Sequence, residues 1–448
     1  MQKPIQDFSI GYTMLKHYSR FFIRKFFKTT TVVGLDNIPK NTPVIITPNH
    51  QDTLMDALCI IYNVHGRAVF MARADIFGKS KLIANTLRFL KILPLYRIRD
   101  GVKELKNNDT SFEEAVGVLQ DRQKLVVLPE GSHVGERRLR QLKKGVARIA
   151  FMAEERNDFK LGLQIVPAGL DYTHYINVGA RFMVQYGKPI MVAKYKDLYQ
   201  ENPQKAMAAL MDEIRAGMLP LMLNLDNEAE YKTLETLDDI YINDLYKGHQ
   251  SRRSVKHTEI LAKKQQMGEK LLAFAQSQSA EYESAKQFAT EFRTLLEKLN
   301  LRLWAVAKDS YSAIGIFLSR LLQLALLPVF VAGFVPNILP FVLPMRLTRG
   351  IKDPQFLSSV RFVISVVLFL LFYLIYLIPL LIFMPKWWMA IVTLVALPYL
   401  AALAFRYYVW FRKTTARARV NRMRRRKNTD WLRLTECRDA IISQLKKL

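Results

Sequence analysis

The stretch PVIITPNHQDTLMD, residues 43–56, decides the fold of the first half of this chain. The apolar run PVIIT is followed at once by polar residues and then by the helical run ALCIIYNV. This order predicts a buried strand that leads into a helix, with the polar residues at the carboxyl end of the strand. Ligand sites of α/β sheets collect at that end of the strands. The stretch therefore predicts an α/β domain and the place of its site.

Four more short apolar runs follow before residue 189, and helical patterns separate them. This alternation is typical of an α/β domain. Polar residues stand at the ends of the first four runs, so chemistry is expected there. The predicted strands are residues 43–47, 68–72, 124–128, 163–166 and 182–186.

His50 is the candidate base of this site, because an imidazole titrates near physiological pH. An acid bonded to its other ring nitrogen would fix the tautomer and stabilise the imidazolium. Asp52 and Asp56 both follow His50 closely in the chain, and either could be this orienting acid. Taken alone the motif is a weak signal, and an ordinary polar helix N-terminus with Asp52 or Thr53 as its cap is then the better interpretation.

Three later blocks also place charge or glycine after predicted strands. Arg73 follows the run AVFM, and PLYRIRDG occupies residues 94–101. The segments LPEGSH, from Leu128, and IVPAGL, from Ile165, complete the series. Glycine lets a ligand approach the backbone closely, and arginine binds a phosphate through two hydrogen bonds. Together these blocks suit a phosphorylated ligand, whereas each arginine taken individually is more typical of a surface charge.

Taken in order, the four blocks resemble those of the glycerophosphate and lysophospholipid acyltransferase superfamily, over roughly residues 30–222. The segment PEGSHVGERRLRQLKKGVARIA is most similar to the fungal-type glycerol-3-phosphate and dihydroxyacetone-phosphate acyltransferases and their bacterial relatives. Two features depart from the superfamily pattern. Five residues rather than four separate His50 from Asp56, as in the fungal-type branch, and His133 stands where the third block has its arginine.

The resemblance implies acyl transfer without an acyl-enzyme intermediate. His50 would deprotonate a glycerol hydroxyl, which attacks an acyl thioester or acyl phosphate, while Asp56 orients His50. By their positions in the blocks, Arg73 and Arg97 would bind phosphate, and Arg137, Arg138 or neither would replace the lost arginine contact. The substrate-binding residues implied are Arg73, Arg97, Glu130, Gly131, Ser132, His133 and Arg137.

The acceptor implied is glycerol-3-phosphate or dihydroxyacetone phosphate, for phospholipid biosynthesis. Lysophosphatidate is the alternative acceptor, and a non-catalytic membrane scaffold is the alternative from another class. We expect no cofactor, with acyl-CoA or an acyl-carrier-protein thioester as co-substrate. A cysteine nucleophile is not favoured, because Cys59 lies on an apolar helical run. The histidines show no metal-ligand spacing.

The composition changes abruptly in the last third of the chain. Residues 313–345 are apolar but broken by prolines and Gly333, which predicts a re-entrant or wedge segment. Residues 362–384 and 387–411 are each long enough to cross about 30 Å of hydrocarbon and form a predicted hairpin. Arginine and lysine flank both ends of the hairpin. We therefore expect an integral membrane protein with its catalytic domain on the cytoplasmic face of a bacterial inner membrane or the endoplasmic reticulum.

The net charge of +27, from 66 Lys and Arg against 39 Asp and Glu, calls for an anionic partner. Because the basic runs flank apolar spans, we predict membrane lipids rather than nucleic acid, with an RNA-binding arginine face as the alternative. Other predicted partners are the acyl donor, a phosphorylated glycerol-type acceptor and a second copy of the chain.

The predicted architecture is an α/β acyltransferase domain with an N-terminal interfacial helix, a charged helical insertion and a C-terminal α-helical membrane region. The basic stripe of the first helix consists of Lys16, Arg20, Arg24 and Lys28, and an ordinary core-facing helix is the alternative. The predicted segments are residues 1–28 (interfacial helix), 29–222 (catalytic domain), 223–305 (charged helices), 306–411 (membrane region) and 412–448 (basic cytoplasmic tail).

Overall fold

The computed structural model describes residues 3–96, 107–175, 178–249, 254–351 and 353–448. The chain forms two compact units. The first contains Met1–Asn224 with Asp353–Ser359, and the second contains Leu225–Lys352 with Val360–Leu448.

The first unit alternates strands and helices, as the apolar runs of the sequence predict. Its elements are α1 (Ile10–Phe26), β1 (Thr29–Val33), β2 (Val44–Pro48), α2 (Thr53–Asn63), β3 (Ala68–Arg73), α3 (Lys81–Phe89), β4 (Ile92–Leu95), α4 (Asn107–Gln120), β5 (Lys124–Val126), α5 (Gly145–Glu155), β6 (Gln164–Tyr172), β7 (Arg181–Tyr186), β8 (Ile190–Met191), α6 (Lys196–Glu201) and α7 (Pro203–Met218).

Within the described residues, eight strands form one mixed sheet in the order β1-β7-β6-β2-β5-β3-β4, with β8 paired to β6. The central strand β2 runs parallel to both β5 and β6. Strand β7 runs antiparallel to β6. Because β2, β5 and β6 are parallel, their carboxyl ends meet at one edge of the sheet. The segments that follow these strands therefore come together.

The apolar faces of α4, α5 and α7 cover the sheet. Val116, Ile149 and Leu210 are fully buried in this core. Complete burial of a side chain of this size stabilises the fold by roughly 1.5–3 kcal/mol. The core thus holds the strand ends in fixed positions.

All five predicted strands are present, with ends that differ by a few residues. The largest difference is β6, which continues to Tyr172 through Pro167 and Gly169. Gly169 is required inside this strand, because an added Cβ would lie 2.1 Å from the backbone oxygen of Leu221. The sequence pattern missed β1, β4 and β8, which are an edge strand, a strand that contains Pro94 and a two-residue strand.

The second unit is helical in its described residues. Its helices are α8 (Tyr231–Leu245), α9 (His257–Gln276), α10 (Ala280–Lys298), α11 (Ala313–Ala325), α12 (Leu327–Phe334), α13 (Ile338–Leu347), α14 (Pro354–Phe383, which begins in the first unit), α15 (Trp387–Arg425) and α16 (Thr429–Leu445). Buried Lys264 of α9 pairs with Asp238 of α8 at 2.7 Å. Arg433 of α16 pairs with Glu291 of α10 at 2.6 Å.

Three helical segments of the described chain are long and apolar enough to cross a membrane: Leu327–Leu347, Gln355–Phe383 and Trp387–Arg425. The predicted hairpin falls on the second and third of these segments. The structure divides the predicted wedge into α11, α12 and α13, so the prolines do interrupt it. Its re-entrant course and the interfacial role of α1 stay predictions.

Candidate active site

His50 and Asp56 form a hydrogen-bonded pair beside the carboxyl end of β2. The Nδ1 atom of His50 lies 2.9 Å from Oδ2 of Asp56, which is in the first turn of α2. The His50 side chain is 13% exposed, whereas that of Asp56 is fully buried. A carboxylate only accepts hydrogen bonds, so Nδ1 of His50 carries the proton and Nε2 has a free lone pair. Nε2 is therefore able to act as a base.

Asp56 accepts three further hydrogen bonds. The backbone N–H groups of Gln51 and Asp52 both donate to Oδ2 at 2.8 Å. The Tyr172 hydroxyl donates to Oδ1 at 2.7 Å. Burial, and then the charge of Asp56, raises the pKa of Tyr172 well above its usual value, so the phenol keeps its proton. The five residues between His50 and Asp56 thus form a loop that wraps around the carboxylate.

Asn49 fixes the start of this loop. Its side chain accepts a hydrogen bond from the backbone N–H of Leu170 at 2.6 Å and donates to the carbonyl of the same residue at 3.2 Å. This pairing prolongs the contact between β2 and β6 by one residue. It holds the backbone of His50 against the adjacent strand.

Asp52 does not contact His50. Its two oxygens accept hydrogen bonds from the hydroxyls of Ser358 at 2.6 Å and Ser359 at 3.0 Å. Burial is the main reason, and nearby Asp56 the next, why the pKa of Asp52 rises to about 8. The geometry therefore favours Asp56 as the partner of His50.

Glu130 holds His50 from the opposite side. Its Oε1 atom accepts a hydrogen bond from the His50 backbone N–H at 2.7 Å. Its Oε2 atom pairs with Nε of Arg140 at 3.1 Å. The guanidinium of Arg140 also donates to the Ser132 hydroxyl at 2.9 Å. This ion pair joins the segment after β5 to residues 49–56, the candidate catalytic loop.

Gly131 and His133 complete the segment after β5. Gly131 has a φ of +70°, in the left-handed region that favours glycine, so the chain turns directly after Glu130. The His133 ring lies 5.5 Å from that of His50, measured between centroids, and its Nε2 is 3.1 Å from Oδ2 of Asp353. Burial lowers the pKa of His133 below its usual value.

Part of the first unit is similar to known proteins. Residues 29–171 match the family model described as Acyltransferase. The chain contains an acyltransferase domain. The resemblance recognised from the four sequence blocks is confirmed.

Two yeast enzymes are similar to part of this domain. The chain is 28% identical over 129 residues to glycerol-3-phosphate O-acyltransferase 2 of Saccharomyces cerevisiae, a match that covers 29% of this chain and 17% of that protein. It is 27% identical over 121 residues to glycerol-3-phosphate O-acyltransferase 1 of the same yeast, covering 26% and 16%. The matches span about a sixth of the length of these relatives.

Among solved structures, the 1-acyl-sn-glycerophosphate (LPA) acyltransferase PlsC from Thermotoga maritima is similar, with 20% sequence identity and a TM-score of 0.31. That match covers 46% of this chain and 80% of PlsC.

The arginines predicted to bind phosphate take different positions in the acyltransferase domain. Arg73 ends β3, and its partly exposed guanidinium pairs with Asp75. Arg137 is buried, and its Nη2 donates to the carbonyl of Tyr172 at 3.2 Å. Arg97 lies outside the described residues.

Three residues that support the site were not singled out from the sequence: Asn49, Arg140 and Tyr172. Asn49 and Arg140 lie within the sequence blocks that resemble the acyltransferase superfamily, so the sequence could have indicated them as candidates. Tyr172 lies beyond the fourth block, and only the pairing of β6 with β2 brings it to Asp56.

Cys59 is buried, and burial raises the pKa of its thiol well above the usual value, which does not suit a nucleophile. Among the described residues, no group of three or more His, Cys, Asp and Glu could hold a metal ion.

Proposed function

We propose that this protein is a membrane-bound O-acyltransferase that moves a fatty acyl chain from an acyl thioester to a hydroxyl of glycerol-3-phosphate or dihydroxyacetone phosphate. The observation that carries the proposal is the His50–Asp56 pair, in which Nδ1 of His50 donates to a buried carboxylate at 2.9 Å. This arrangement supplies a general base at the edge of the sheet where substrates of α/β proteins bind.

The proposed reaction proceeds in two proton-transfer steps. Nε2 of His50 takes the proton of the acceptor hydroxyl as its oxygen attacks the thioester carbonyl carbon. The C–S bond then breaks, an ester forms, and the departing thiolate takes the proton from the imidazolium. Asp56 stabilises the imidazolium between these steps, and Tyr172 with the two backbone N–H groups holds Asp56 in place.

The acceptor is proposed to be phosphorylated because arginine stands at the strand ends. Arg73 ends β3 and is partly exposed, so its guanidinium is accessible to a phosphate. Arg140 holds Glu130 and Ser132 and would shape the glycerol subsite rather than bind phosphate. The yeast relatives, named for glycerol-3-phosphate, favour this acceptor over lysophosphatidate.

The proposed location is the cytoplasmic face of a membrane. Three candidate spans provide the anchor, and the Arg- and Lys-rich end of α15 would bind anionic headgroups. An acyl donor whose chain enters from the bilayer would then reach the site directly.

The test uses the purified full chain in detergent with labelled acyl-CoA and acyl-carrier-protein thioesters. The acceptors are glycerol-3-phosphate, dihydroxyacetone phosphate, lysophosphatidate and an acylated amino acid. We expect transfer to one of the first two, and a loss of kcat on the order of 10²- to 10⁴-fold in His50→Ala and Asp56→Asn. His65→Ala, which alters an exposed histidine, serves as the matched control.

The outcomes separate the alternatives. Preference for lysophosphatidate would replace the proposed acceptor with the monoacylated one. Transfer only to the acylated amino acid would remove the phosphate-binding role of Arg73. Equal activity of His50→Ala and His65→Ala would overturn the mechanism. If the wild type transferred no acyl chain to any acceptor, the non-catalytic membrane scaffold would be the remaining interpretation.

A further inference from the structure

The segment Asp353–Ser359 is distant in sequence from the catalytic loop but belongs to the same compact unit. It forms the beginning of α14, which continues as an apolar candidate span to Phe383. The segment makes three contacts near His50 and Asp56: with the first turn of α2, with the Asp52 side chain and with the His133 ring.

The first contact is a helix cap supplied from outside the helix. Asp52 is the N-cap residue of α2, but its side chain makes no capping hydrogen bond. Instead, Oγ of Ser359 accepts hydrogen bonds from the backbone N–H groups of Leu54 at 3.0 Å and Met55 at 3.1 Å. These groups belong to the first turn of α2, which would otherwise lack acceptors. Asp56, the partner of His50, lies in this same turn.

The second contact explains why Asp52 does not cap its own helix. Its oxygens are turned to the hydroxyls of Ser358 and Ser359. Asp52 is only 1% exposed, so two hydroxyl donors are needed to satisfy it. Since its backbone N–H donates to Asp56, any shift of Asp52 is transmitted directly to the catalytic carboxylate.

The third contact fixes His133. Asp353 bonds to Nε2 of this ring, and the ring of Phe356 packs edge-on against it at 5.0 Å. The other neighbour of His133 is the His50 ring. The segment thus contacts both the loop after β2 and the loop after β5.

We propose that Asp353–Ser359 is a positioning element of the acyl-transfer site, which holds the first turn of α2 and the His133 ring in the arrangement that His50 and Asp56 need. The proposal rests on the proposed function. It gives the N-terminal end of a membrane helix a direct part in catalysis, in addition to anchoring the chain.

The test compares the double variant Ser358→Ala/Ser359→Ala, the variant Asp353→Asn and the conservative variant Ser359→Thr with the wild type, all as full chains. Ser443→Ala and Asp212→Asn alter exposed residues of the same types and are the matched controls. The measurements are kcat, the KM for glycerol-3-phosphate and hydrogen exchange at the amides of Leu54 and Met55.

We expect kcat of the double variant to fall about 10- to 100-fold, because catalysis is sensitive to small displacements of the base, while KM stays within about twofold. Hydrogen exchange at the two amides should accelerate, since Ser359 no longer accepts from them. Ser359→Thr retains a hydroxyl and should keep most of the activity. Asp353→Asn should lower kcat by about tenfold, because its amide holds His133 less firmly than a carboxylate.

A pH profile separates positioning from a general loss of folded protein. The two serine hydroxyls hold down the pKa of Asp52, whereas Asp56 and Asp353 are its charged neighbours and raise it. Removing the hydroxyls should therefore move any alkaline inflection of kcat upward, and Asp52→Asn should abolish it. A loss of folded protein alone would lower kcat equally at every pH.

The inference is wrong if the double variant is folded and has the kcat of the wild type, while the wild type is active and His50→Ala is inactive. A uniform loss of kcat with an unchanged pH profile and unchanged amide exchange would equally overturn it. Failure of the proposed function has a different signature, which is no difference between the wild type and His50→Ala for any acceptor.

Discussion

Asp52 and Asp56 are four positions apart in the catalytic loop, yet their surroundings differ. Asp56 receives donors from His50, Tyr172 and two backbone N–H groups. Asp52 receives two serine hydroxyls and no cation. Two neighbouring buried carboxylates disfavour each other's ionisation, and the one that receives fewer hydrogen bonds keeps its proton to higher pH. Burial first, and then the charge of Asp56, raises the pKa of Asp52 to about 8.

The stability of the protein should depend on pH through Asp52. The folded pKa of about 8 lies above the usual 3.8, so between these values the folded protein retains a proton that the unfolded chain has released. The free energy of unfolding should therefore fall as pH rises, by at most about 1.4 kcal/mol per pH unit from this group. Asp52→Asn should flatten the dependence. Thermal unfolding in detergent at pH 5, 6.5 and 8 measures it.

Asp212→Asn, at an exposed position, is the control for this measurement. An identical pH slope in the wild type and in Asp52→Asn would show that Asp52 is ionised throughout this range.

At the scale of elements, helix α12 of the predicted wedge packs with its backbone close to that of α15. An added Cβ at Gly333 would lie 2.3 Å from the carbonyl oxygen of Leu400. Nearby, buried Asn337 donates to the carbonyl of Gly333 at 2.9 Å and accepts from the Tyr373 hydroxyl at 2.8 Å. Small residues permit such close packing between membrane helices. Where a helix is interrupted, side-chain amides can form hydrogen bonds with the backbone groups that have lost their helical partners.

Replacing Gly333 with alanine should destabilise this part of the protein. The new methyl group would meet rigid backbone, so α12 would have to move away from α15, at a cost of about 1–3 kcal/mol. The expected result is a lower unfolding temperature in detergent. Gly315→Ala in α11 is the control, since its Cβ would meet only Ser312 at 3.4 Å. Equal unfolding temperatures for the two variants would contradict the close packing.

For the whole molecule, the membership of Asp353–Ser359 in the catalytic unit bears on membrane topology. The segment directly precedes the apolar remainder of the candidate span Gln355–Phe383. The predicted wedge places residues 346–361 on the same side of the membrane as the first unit. A single crossing by the candidate span Leu327–Leu347 is the alternative.

Labelling of single cysteines with a membrane-impermeant maleimide tests this topology in sealed vesicles. The native Cys59 and Cys437 are buried, so they should contribute little background. We expect Gly350→Cys to react from the same side as Asp197→Cys in the catalytic unit, and Lys386→Cys between α14 and α15 to react from the other side. Reaction of Gly350→Cys from the side of Lys386→Cys would refute the wedge.

The sequence by itself determined the alternating strands of the first unit, the candidate base His50 and the apolar helices, because each of these depends on local order and hydrophobic pattern. It also determined the acyltransferase resemblance, through four blocks at strand ends. Strands that lack such a pattern, among them β1 and β4, had no local signal to show them.

Only the tertiary structure shows that Asp56 bonds to His50, that Tyr172 and Arg140 lie beside this pair, and that Asp353–Ser359 contacts the catalytic loop. The two acids have the same chemistry and differ only in which donors the fold brings to them. The distant donors come from Tyr172 of β6 and from the start of α14, up to 307 residues away in the chain. Local sequence patterns do not predict contacts at such separations, because these contacts arise from the pairing of strands and the packing of distant helices.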